Sequence, residues 1–170
     1  MSSVLHRAIL DGLRDAPAYG ERGILVLPLL EATLDLGAHE TLLYQAVYTL
    51  VRALPDRLLR GSPFVITTTD APGGVELAWE GREPAERAAG GGDLRGALRL
   101  GPHGDLLDIA LLALERFCDA RSGFIETRES PIDSASAFPR PPHVLRRVVA
   151  FLPTKPEDGA PALVTQIRHA

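Results

Sequence analysis

Between Ala38 and Leu54 the apolar residues Leu42, Leu43, Ala46, Val47, Leu50, Val51 and Leu54 recur at three- and four-residue steps. That spacing gathers them on one face of a helix and leaves Gln45, Thr49 and Arg52 elsewhere on its circumference. Pro55 ends the helix, since its ring disfavours helical backbone at the residue before it. After a short basic connection, Phe64 to Thr69 is β-branched and aromatic, and Ala71-Pro72-Gly73-Gly74 has turn chemistry. Val75, Leu77 and Trp79 then alternate with Glu76 and Ala78. The pattern predicts one amphipathic helix followed by an antiparallel hairpin.

The flanking segments extend this picture. Ser2 or Ser3 suits the N-cap of a first helix that runs to about Asp15, with Val4, Leu5, Ala8, Ile9 and Leu13 as its apolar side and Pro17 and Gly20 closing it. From Ile24 to Leu36 the pattern is ambiguous: Ile24 to Leu27 reads as a short strand, and Pro28 suits the first turn of a helix to about Asp35. Glu80 to Gly104, with consecutive glycines at Gly90 to Gly92, predicts a long loop with a short ordered piece at Leu94 to Leu100. Asp105 to Arg121 is apolar around most of its circumference, which predicts a helix buried between a sheet and other elements. Gly123 to Glu129 and Val144 to Leu152 read as strands, joined by a polar, proline-containing connection from Pro131 to Pro142. A weaker strand signal lies at Ala162 to Ile167. The expected fold class is α+β: a two-layer sandwich of a mixed, mostly antiparallel sheet with helices on one face.

Composition narrows the function classes. With 170 residues, 45% of them hydrophobic, the chain suffices for one domain with its own core. A net charge of −4 without an extended basic stretch argues against nucleic acid as a partner. Cys118 is the sole cysteine and sits in an apolar run, so no disulfide closes within the chain and a reducing cytoplasm is the expected location. No run reaches the roughly 18 apolar residues of a membrane span, so no membrane is expected as a partner. His6, His39, His103, His143 and His169 are scattered, with none at the spacing of a zinc-binding helix, and no metal site is expected.

The order of these elements resembles the ATP-binding domain shared by histidine kinases, gyrase and a class of heat-shock chaperones, in its histidine-kinase version. The resemblance covers roughly Leu25 to Lys155. TLLYQAVYTLVRAL is similar to the family's asparagine-box helix and GGVELAWEGREP to its first glycine box; DIALLALERFCDARSGFIETRES followed by VVAFLPTK is similar to its last helix and closing strands. The domain expected from it spans 23–155, after an N-terminal helix and connection over 1–22 and before a tail over 156–170.

The resemblance implies a nucleotide pocket and maps its chemistry residue by residue. The paired asparagines of the family, one of which holds the magnesium, fall on Thr49 and Ala53, and a methyl group cannot ligate a hard cation. The adenine-reading aspartate falls on Trp79, with Glu80 beside it; Gly81 is retained and Glu83 replaces the next glycine. The second glycine box falls on Asp108 to Ala113, including Ala110, where the Asp108 carboxylate would repel a triphosphate. A shifted register would instead place Gly101 to Gly104 at the phosphates. Trp79 is either an inward core aromatic, a plug in a dead nucleotide pocket, or an exposed anchor for a partner. His6 is the one histidine in a segment that imitates a phospho-accepting helix, yet Arg7 stands where an acid usually follows.

Gly90 to Gly92, the serines Ser134 and Ser136, and Phe138 among Pro139, Pro141 and Pro142 carry no motif with partner residues for chemistry. The expected function is a non-catalytic, ATPase-like domain that binds no cofactor and serves as an adaptor or regulator for other signalling proteins in bacterial signal transduction, with a homodimer as a further option. Alternatives are a phosphotransferase or anti-sigma-type kinase that holds nucleotide by altered motifs, and a small-ligand sensor.

Overall fold

The β-branched and aromatic segments pair as their alternation predicts. In the computed structural model, which describes residues 3–34, 40–84, 106–132 and 143–154, strands β2 (Pro63–Ala71) and β3 (Gly74–Pro84) form an antiparallel hairpin. Its tight turn is possible because Gly73 adopts φ +81°, a left-handed conformation that costs glycine little. β1 (Leu25–Leu30) lies parallel to β2, while β5 (His143–Pro153) pairs antiparallel with both β3 and β4 (Phe124–Ile132). The five-stranded order is β1-β2-β3-β5-β4.

Helices α1 (Val4–Arg14), α3 (Glu40–Ala53) and α4 (Leu106–Asp119) form the second layer, with a short α2 (Ala18–Glu21) before β1. A 3₁₀ turn at Leu54–Asp56 follows α3, with Pro55 ending the regular helix. α1 packs on α3 and α3 on α4. Leu5, Ile9, Leu43, Leu50 and Leu114 are fully buried against Phe64, Ile66 and Leu77 of the sheet. The mixed α+β sandwich expected from the sequence is the observed architecture.

Local polar bonds tie the layer together. The Ser3 hydroxyl does not cap α1; it accepts from the Leu34 N–H at 3.1 Å and so fastens the chain leaving β1 to the start of α1. Tyr19 donates to the Val51 carbonyl at 2.7 Å, and its burial holds the phenol well above its ordinary pKa. Tyr44 on α3 donates to Asp11 on α1 at 2.8 Å. The segment before residue 23 therefore belongs to the same hydrophobic core as the rest.

Two expectations change. Leu25–Leu30 is one continuous strand, and no helix starts at Pro28. The Leu25 N–H donates to Ser62 O, and the Glu31 N–H to Thr68 O. Odd-numbered residues thus turn their backbone groups toward β2, and Pro28 turns its missing N–H to the edge that is unpaired among the described residues, where a strand tolerates proline. α4 is not buried all round: Leu107, Ala110, Leu114 and Cys118 form one buried stripe, while Leu106 and Ile109 are half exposed. The expected loop around Gly90–Gly92, the piece at Leu94–Leu100, the stretch from Ser134 to Pro142 and the Ala162–Ile167 strand lie outside the described residues.

The turn from α4 into β4 carries strain. Ser122 sits at φ +60°, where its Cβ crowds the backbone, while the Gly123 N–H closes the helix on Cys118 O at 2.8 Å. Ser122→Gly is expected to stabilise the protein by about 0.5–1 kcal/mol; urea denaturation with an unchanged slope and a higher midpoint checks it. Cys118 is fully buried, and desolvation first, then the Asp119 and Glu115 carboxylates, push its thiol up to about 12. A thiol reagent at about pH 8 is expected to leave it untouched in the folded protein and to titrate it in denaturant, because only the thiolate reacts.

Candidate functional site

The candidate site, the cleft that the resemblance implies, is bounded by four pieces. These are the last turn of α3, the 3₁₀ turn and the residues after it, the far end of β3, and the first turn of α4. On α3, Thr49 is half-buried and Ala53 buried, one helical turn apart on the same side. Ala53 offers a methyl group, with no oxygen for a metal or phosphate.

The floor is β3. Trp79 stands in register with Ile66 and Val148, on the helix-facing side of the sheet, and is only 5% exposed. Next on that side is Gly81, where a Cβ would collide with the Leu58 side chain and press on Phe64. Leu58 itself is buried, and its neighbour Leu59 donates from its N–H to Arg82 O at 2.9 Å. The chain after the 3₁₀ turn is therefore laid directly over the end of β3, and the absence of a side chain at Gly81 admits Leu58 there.

The charged groups of the cleft are compensated by one another. Glu83 is buried and lies 3.4 Å from Arg146 on β5, which reaches Glu129 on β4 at 2.6 Å. Asp108, in the first turn of α4, takes a hydrogen bond from Arg57 at 3.0 Å. A carboxylate there complements the positive end of the helix dipole, the same end that would otherwise attract an anionic ligand. Ala110 is buried behind it in the stripe of α4 that faces the core.

No protein-family model matches the sequence, and no curated protein matches it either. Solved structures do. The catalytic domain of the histidine kinase ThkA superposes with a TM-score of 0.58 at 16% identity, covering 91% of this chain and 92% of that one. The mycobacterial sensor histidine kinase MprB gives 0.51 at 16% identity, over 86% of this chain and 95% of its own. A histidine kinase from Burkholderia phymatum gives 0.52 at 16% identity, over 88% and 68%. The fold is that of the histidine-kinase catalytic domain.

Within this histidine-kinase-type fold, the residues mapped from sequence fall on three elements. Thr49 and Ala53 lie on α3, Trp79, Gly81 and Glu83 on β3, and Asp108 and Ala110 on α4. His6 does not join them. It lies on α1, half-buried, with Nε2 3.3 Å from the Thr68 hydroxyl. Because that hydroxyl donates to Ala32 O at 3.3 Å, it is placed to accept from His6. Gly101 to Gly104, the shifted phosphate loop, lie outside the described residues, as do His39, His103 and His169. Sequence reasoning passed over Leu58, Arg57 and Arg146, three side chains that shape the cleft. The apolar pair Leu58-Leu59 inside a basic connection was the one visible signal, since such a pair needs something to cover.

Proposed function

We propose that this chain is a histidine-kinase-type domain that no longer binds Mg-ATP and works as a non-catalytic adaptor or regulator in signal transduction. The observation that carries the proposal is the cleft filled by the chain's own side chains. Trp79 is buried on β3 where the adenine-reading aspartate falls, Leu58 covers Gly81, and the Asp108–Arg57 pair stands at the start of α4. Magnesium requires oxygen ligands in near-octahedral array, and Ala53 supplies none where the fold's metal-binding asparagine falls. A triphosphate entering here would meet the carboxylates of Asp108 and Glu83 and would have to displace them from Arg57 and Arg146. The residues present do not fit the nucleotide.

A domain of this kind acts by what its surface recruits. Isothermal titration with Mg-ATP is expected to give no saturable heat up to about 1 mM, an affinity weaker than about −4 kcal/mol. Micromolar, magnesium-dependent binding would refute the proposal and favour a nucleotide-dependent phosphotransferase.

A further inference from the structure

The second face of the sheet bears no helix among the described residues, and along β1 it is not built like a solvent face. Strand alternation turns Leu25, Leu27 and Leu29 of β1 onto it, and they are 63%, 43% and 55% exposed. Val65 on β2 stands beside Leu27, and beyond Thr67, which stands beside Leu29, follow the buried Ala78 on β3 and the half-buried Val149 on β5. At the far edge Phe124 and Phe151 stack at 5.5 Å between ring centres on the same face. At β1 an antiparallel sheet with one wetted face would show polar residues, as the rest of this face does. A row of three exposed leucines along one side of a sheet face, with an aromatic pair at the opposite corner, is the kind of apolar surface that marks a contact site.

The geometry points to a second copy of this chain as the occupant, with two such faces packed against each other about a two-fold axis. Three observations select that partner. The first is charge: the same face carries Glu76, Glu80 and Glu126 against Arg82, Arg128 and Arg147, so it sums to zero and complements itself. Arg147 already lies 3.9 Å from Glu80, and Arg128 2.7 Å from Glu126; both pairs are exposed and free to exchange partners across a two-fold axis. A two-fold contact places one patch on its own copy, and only a self-neutral patch tolerates that.

The second is area. Five strands about 4.8 Å apart, with four outward rows about 7 Å apart, give roughly 600 Å² per copy, so a pair covers about 1,200 Å², the lower end of specific interfaces. The third is the edge. Pro28 leaves β1 without a donor at the centre of its free side, so association by strand addition is disfavoured and the leucines serve the face. The inference does not depend on what the nucleotide cleft binds.

Sedimentation velocity on the full chain tests it. The native protein is expected to pass from 18.3 kDa to twice that mass as its concentration rises to about 100 µM, and Leu27→Glu or Leu29→Glu is expected to weaken the dimer at least about 10-fold. Leu42→Glu, at an equally exposed leucine on α3 away from this face, is expected to leave the dimer intact. Circular dichroism and melting temperature verify that each variant folds. A native protein that stays monomeric at every concentration overturns the inference, whether the face is then bare or covered by the chain's own residues after 154. A dimer that persists in both face variants overturns it as well.

Discussion

Trp79→Ala is expected to destabilise the protein by about 3–5 kcal/mol, the usual cost of truncating a buried large aromatic. The side chain lies in the common core between Ile66 and Val148 in register, with α3 and α4 above the sheet. Its removal leaves a cavity that rigid strands on both sides cannot close. Guanidinium unfolding measures the loss directly. A change below about 1 kcal/mol would mean that Trp79 is a loosely held lid on the cleft, at odds with the packing described above. The same experiment separates the three roles that the sequence leaves open for this residue, since neither a mobile plug nor an exposed anchor would carry so much of the folding free energy.

Arg146→Met is expected to cost about 3–5 kcal/mol, because it takes from the buried Glu83 and from Glu129 the arginine that both contact. Both side chains of the Arg146–Glu83 pair are close to fully buried, at 11% and 6% exposure, so solvent offers little screening. The double variant Arg146→Met, Glu83→Met is expected to recover most of the loss, since replacing both charges by apolar groups of similar size is often neutral. A double variant no more stable than the single one would show that Glu83 has no energetic coupling to Arg146.

The architecture was legible because its signals are periodic. The helical spacing from Leu42 to Leu54 and the alternation from Val75 to Trp79 each encode a buried face, and these faces specify how the layers stack. Pro28 misled because a proline inside an apolar run satisfies two rules at once, helix start and edge strand; only the pairing partner decides, and that lies more than thirty residues away at Ile66. α4 misled for the converse reason. Its composition is apolar on several sides, but the fully buried stripe is Leu107, Ala110, Leu114 and Cys118, with Leu111 and Phe117 packing partly against the core.

The cleft was readable by position and not by contact. Thr49, Ala53, Trp79, Gly81 and Asp108 could be placed on the walls by matching motifs. What fills the space between them comes from Leu58, Arg57 and Arg146, at sequence separations that no local pattern reports. Gly81 illustrates the difference: a retained glycine reads as a retained ligand site, whereas the missing side chain is used here by Leu58.

Trp79 is the sole tryptophan of the chain and lies on the floor of the cleft, so its emission reports on occupancy without a label. Titrating the intact protein with Mg-ATP while recording that emission tests the filled cleft most directly. Emission unchanged up to about 1 mM nucleotide is the predicted result. A saturable, magnesium-dependent change with a micromolar midpoint would contradict it.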